Sequence, residues 1–205
     1  LGQHARALQV LGGDALAVAR RMPARYAVRW LVLMARVQRR LRQPVAPLLE
    51  EAAALAPPDG WPEMRLIVRT EQSLADAPVA ALAELRAVAD EAHTLSLHGA
   101  ELGALLHATS MAPTAATAAA LADAAVALAA SAEAPHADRA LRFTAPALAW
   151  ARSGQTARAQ ALWAEGQAWL RTTAAAHVPP EFADSFLHQH PLHRQLLGPL
   201  PDPLA

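Results

Sequence analysis

Apolar positions recur at steps of three and four residues along almost the whole chain, as in Trp30-Met34-Val37 and Phe143-Ala147-Trp150. That is the period of a helix burying one face. No run alternates apolar and polar residues over a strand's length, and the 205 residues include one Ile and one Tyr, so the pattern predicts an all-α protein. Helix breakers divide it. Gly12-Gly13, Pro23, Pro44, Pro57-Pro58-Asp59-Gly60, Pro78, Pro113, Pro135, Gly154 and Pro179-Pro180 separate segments of helical length, several of the prolines being placed for a first turn. Pairing the segments gives about five antiparallel helix hairpins with turns near Gly12, Arg42, Ala75, Met111 and Gly154. Successive turns are separated by 30, 33, 36 and 43 residues, the spacing of a helical repeat array.

The clearest unit is "FTAPALAWARSGQTARAQALWAEGQAW". Phe143, Ala147 and Trp150 mark the inner face of a first helix, Gly154 ends it, and Ala159, Trp163 and Gly166 mark the inner face of a second. Small residues let the two helices approach closely while the aromatics fill the space beside them. A second unit repeats the order of large, small and terminating residues: Trp30, Leu33, Met34 and Val37, then Ala46, Ala53 and Pro58. These two units resemble the tetratricopeptide repeat. The hairpins near 1–22, 62–93 and 99–131 keep the rhythm but depart from the signature, with Glu50 and Glu84 standing where a large apolar residue is expected. The resemblance implies an α-α superhelix over residues 1–178, presenting a concave binding surface.

The segment "HVPPEFADSFLHQHPLHRQLLG" looks like the closing segment after divergent helical repeats in large bacterial regulators, those that join an ATPase or DNA-binding part to a tetratricopeptide-like region. The matching positions are Phe182, Phe186, Leu187, Pro191, Arg194, Leu196 and Leu197. By this resemblance residues 179–198 form a capping helix pair, with a disordered tail at 199–205. The chain begins at Leu1 inside helical text, so a fragment of a longer protein is expected.

Composition narrows the chemistry. All 18 basic residues are Arg, and Lys and Cys are absent, which removes Schiff bases, Walker-type phosphate loops, thiol nucleophiles and thiolate metal sites. The most apolar stretch, Ala112 to Ala130, is made of Ala and Thr with Asp123 inside it, too weakly hydrophobic for a membrane span. No membrane partner is expected, and a cytoplasmic protein is.

Two histidine groups need weighing. His188, His190 and His193 lie within six positions, and three nitrogens could converge on zinc at about 2.0–2.1 Å. Pro191 breaks the helix between the second and third, however. The expectation is a cap in which Phe186, Leu187, Leu192, Leu196 and Leu197 pack inward and the histidines stay half-exposed. Asp90, His93, His98, Glu101 and His107 form the other group. Asp90 and His93 share a helix face, echoing half of a di-iron motif, but no second matching helix is found. There is no nucleophile elbow around any serine. No catalytic residue, metal or cofactor is therefore assigned, and a non-enzymatic protein is expected.

Charge is distributed unevenly. Residues 1–49 carry nine Arg against the single acid Asp14, a balance of +8, while residues 50–103 carry ten acids against three Arg, a balance of −7. Arg25, Arg29, Arg36 and Arg40 recur at four- and seven-residue steps and fall on one stripe of a helix. Such a stripe suits an acidic segment of a protein or peptide partner. It could also take phosphates, although neutral net charge, absent Lys and the lack of a reading motif make nucleic acid the weaker candidate. The plain alternative is a solvated face, or one paired with Glu50, Glu51 and neighbouring acids. Trp169 is the one tryptophan placed for a contact role. The expected function is a protein-interaction or ligand-sensing scaffold in a bacterial regulator, with a small-molecule effector as a further partner. An all-α metal-dependent or acid-base enzyme built on the histidines is the alternative from another class.

Overall fold

The computed structural model describes residues 3–56, 60–75, 77–131 and 138–202. The expected breakers at 57–59 and 135 lie outside them. Of the described residues 82% are helical, and no strand occurs among them, as the apolar period requires. In order come α1 (His4–Leu11), α2 (Gly13–Ala19), α3 (Ala24–Arg40), α4 (Ala46–Leu55), α5 (Pro62–Ser73), α6 (Pro78–Thr94), α7 (His98–Met111), α8 (Ala115–Ser131), α9 (Arg139–Arg152), α10 (Thr156–His177), α11 (Pro180–Asp184), a π-helical turn (Ser185–Gln189) and α12 (Pro191–Leu197). Consecutive helices separate at each of the five expected turns. Three of those turns use the left-handed region, with φ +53° at Gly13, +57° at Arg42 and +79° at Gly154. The chain forms two compact units, residues 3–84 and residues 85 onward, the division falling within α6.

In the first unit α3 is the central element, packed on α1, α2, α4 and α5. Its inner face carries Val28, Leu31, Val32, Met34, Ala35 and Val37 against Leu48, Leu49 and Ala52 of α4 and Met64 and Val68 of α5. Each fully buried Leu or Val contributes about 1.5–3 kcal/mol over its exposed state, so this face sets the rotation of α3. The second repeat-like unit is out of register with the expectation. Leu33, expected to face inward, is 45% exposed, and Ala46 and Ala53 are exposed as well. The buried stripe of α4 is Leu48, Leu49 and Ala52, continued by Val45 and Ala56 at its ends, because the rotation that buries Val45, Leu48 and Leu49 removes more apolar area from water than one that buries Ala46 and Ala53.

In the second unit α7, α8, α9 and α10 pack on one another in chain order. Alanines at 118, 119, 122 and 125 of α8 are buried, and Leu121, Val126 and Leu128 pack beside them as partly buried residues. Asp138 caps α9, accepting from the backbone N–H groups of Ala140 and Leu141 at 3.0 and 3.3 Å, an N-cap arrangement. Phe143, Ala147, Trp150, Ala159, Trp163 and Gly166 are all buried, in the register read from the sequence. α12 packs on α9 and α10, where Leu196 joins the cluster of Phe143, Trp163, Leu170 and Phe186. Of the expected tail at 199–205, Leu200 packs against these clusters, and residues 203–205 lie outside the described ones. Among the described residues no helix is long and apolar enough to cross a membrane.

Candidate functional site: the outer face of α3

With one face of α3 committed to the core, Arg25, Tyr26, Arg29, Leu33, Arg36 and Arg40 fall on the other, and all six are exposed. Tyr26 at 44% and Leu33 at 45% are large apolar groups held in water among cations. Arg25 organises the N-terminal end of this face. Its guanidinium donates to the Tyr26 hydroxyl at 2.9 Å and lies 4.6 Å from the ring centroid, within cation-π range.

Arg36 has a different role from the other three. Its Nε donates to Glu71 Oε1 at 2.6 Å, while Arg39 donates to the other Glu71 oxygen and, at 2.7 Å, to the Glu71 carbonyl. Glu71 is 2% exposed on α5. Burial pushes its carboxyl upward, but Arg36 and Arg39 together hold it below the ordinary glutamate range, because a desolvated carboxylate next to two guanidiniums is favoured in its charged form. Arg36 and Arg39 thus tie α3 to α5, while Arg25, Arg29 and Arg40 are exposed on the same face as Tyr26 and Leu33. Of the acids that could partner the stripe, Glu71 takes Arg36, and Glu51 is held by Arg20 in a two-bond fork at 2.6 and 2.7 Å; its hydrogen bond to Arg20 lowers the carboxyl and the same bond raises the guanidinium. Glu71 went unremarked in the sequence, although a signal was there: Met64, Val68 and Glu71 follow the helical period, which puts a carboxylate on a buried face and calls for a cation.

The histidine groups resolve into packing and short hydrogen bonds. His193 is buried rather than half-exposed. Its Nδ1 donates to the Phe186 carbonyl at 2.7 Å, and its ring lies edge-on to Phe186 and Trp169 with centroids 4.4 and 5.8 Å apart. His190 lies 4.2 Å from it, and His188 is exposed. The π-helical turn ahead of α12 explains the difference, since its Phe186 carbonyl meets the imidazole. Trp169, expected as a contact residue, is half-buried and stacked on Phe143 at 5.6 Å. In the other group His93 Nδ1 lies 2.9 Å from Glu101 Oε1, and His98 Nδ1 lies 3.7 Å from Oε2. Among the described residues no set of three or more histidines and carboxylates is placed to hold a metal ion.

Comparison with protein-family models, with curated proteins and with solved structures gives no match.

Proposed function

We propose that the chain is a non-enzymatic interaction module whose α3 face receives an acidic, partly apolar segment of a protein partner. The observation that carries this reading is the composition of one exposed face: Arg25, Arg29 and Arg40 around Tyr26 and Leu33, on a helix whose opposite side is locked in the core. Arginine and tyrosine are enriched at interface centres, and a rigid helix presents them at low entropic cost. The succession of helix pairs and the residues shared with the tetratricopeptide repeat support placing the chain in a superhelical region of a larger bacterial regulator. There a partner would act by binding one arrangement of the helices more tightly than another, since a ligand shifts an equilibrium only through differential affinity. An enzyme built on the histidines has less support, because His193 is engaged by Phe186 and His93 by Glu101.

The test is fluorescence anisotropy with a labelled helical peptide bearing Glu and Leu at helical spacing, against the wild type and the triple variant R25Q/R29Q/R40Q. Arg36 is left in place because it holds Glu71. The triple variant should bind at least about tenfold more weakly, roughly the worth of one lost charged contact, and Leu33→Ser should weaken binding without altering its salt dependence. Equal affinity of wild type and triple variant ends the proposal. A single-stranded oligonucleotide bound more tightly than the peptide, with the same arginine dependence and a steep loss with salt, replaces it with nucleic-acid binding.

A further inference from the structure

An open-sided groove of about 350 Å³ lies in the second unit along α7 and α9, within the size range of small-molecule sites. Leu148 and Ala149 of α9 supply apolar wall, Thr109 and Ser110 of α7 line it further, Pro201 stands at its edge and Arg152 completes it. Both hydroxyls are already spent as donors within α7: Thr109 on the Leu105 carbonyl at 2.8 Å and Ser110 on the Leu106 carbonyl at 3.2 Å. They contribute no donor to an occupant. Arg152 does. Its guanidinium carries five N–H groups, and its hydrogen bond within the protein is one long contact, 3.3 Å, to the Ala112 carbonyl. Among the described residues it forms no ion pair. Asp123, in the middle of α8, is engaged elsewhere by Arg158 at 2.6 Å and the Trp150 ring nitrogen at 3.0 Å.

A cation with no carboxylate partner among the described residues, beside a groove walled by methyl and isobutyl groups, is complementary to an amphiphilic anion. We propose that this groove binds a medium-chain aliphatic carboxylate, its alkyl chain lying along Leu148 and Ala149 and its carboxylate accepting from Arg152. Among the described residues the wall has no aromatic side chain, so none of them offers a stacking surface to a planar ring, and the volume corresponds to roughly twelve water molecules at about 30 Å³ each, the scale of an eight-carbon chain with its head group. The site is independent of the α3 face and stands or falls separately from it.

The experiment is a titration of the full chain with octanoate and with octanol, following backbone amide NMR shifts. Octanoate should shift the amides of Thr109, Ser110, Ala149 and Arg152 and bind about tenfold more tightly than octanol, the scale of one charge-assisted hydrogen bond. Arg152→Gln should remove that preference while leaving octanol within about twofold, and Arg152→Lys should restore part of it, which separates loss of charge from damage to the end of α7. Ser110→Phe, at an exposed helical position, should fill the groove and abolish both. Octanoate shifts that map elsewhere, or an octanoate affinity unchanged in Arg152→Gln, would overturn the proposal.

Discussion

Arg39→Met is the most informative single perturbation, because the two sides of the Arg36-Glu71-Arg39 cluster are buried unequally. The Glu71 carboxylate is 2% exposed, whereas the arginine side chains are 46% exposed at Arg36 and 28% at Arg39. Removing Arg39 leaves a buried carboxylate with one guanidinium in place of two and strips the Glu71 carbonyl of a donor. Breaking a buried pair this way costs about 3–5 kcal/mol. Arg36 remains to share the charge, so the lower end, about 3 kcal/mol, applies. Glu71→Met is a milder change: both guanidiniums can turn to water, methionine fills the vacated space, and the expected cost is about 1 kcal/mol. The double variant should therefore lie close to Glu71→Met, giving a coupling of about 2–3 kcal/mol in the cycle. Urea unfolding followed by far-UV circular dichroism supplies all four free energies. If Glu71→Met costs as much as Arg39→Met, or the coupling falls below about 0.5 kcal/mol, burial asymmetry does not govern this cluster.

Acid should act through the same carboxylate. Its folded value is depressed, so its stabilising effect is fully present above the unfolded glutamate value of about 4.3 and is lost as pH falls through the lower folded value; urea midpoints of wild type and Glu71→Gln should differ at pH 7 and converge toward pH 3. Gly166→Ala should destabilise despite a helix-propensity gain of about 1 kcal/mol, since an added Cβ would lie 2.7 Å from Phe143 Cβ and 3.0 Å from Leu196 Cδ2; with overpacking at about 1–3 kcal/mol, thermal denaturation should show a net loss, and an unchanged midpoint would mean α10 can shift away from α9. Gly154→Ala meets no atom within 4 Å but forces a Cβ into φ +79°, so about 1–2 kcal/mol should be lost through backbone strain alone. Trp163→Phe removes the donor that reaches the Gly198 carbonyl at 3.0 Å and should cost about 1 kcal/mol, read as faster amide exchange in α12.

Local chemistry alone made the helical class and the turn positions legible. The 3.6-residue period, the prolines suited to first turns and Gly154 each act within a few residues, and the α9–α10 register followed because Phe143, Trp150 and Trp163 are too large to be left in water. The register of α3 and α4 was harder to read. Leu33 and Ala46 carry apolar side chains that fit an inward position in the sequence, yet each helix has one rotation, and the packing of α3 against four neighbours chose the one that buries Leu31, Met34 and Val37. The fate of each charge was also a tertiary decision. Arg25, Arg29, Arg36 and Arg40 are equivalent along the sequence, yet Arg36 meets a buried carboxylate that lies 35 residues away on α5. His193 and Trp169 follow the same rule: a side chain's neighbours across the fold decide whether it is buried against other rings or left for a ligand, and no local spacing encodes those neighbours.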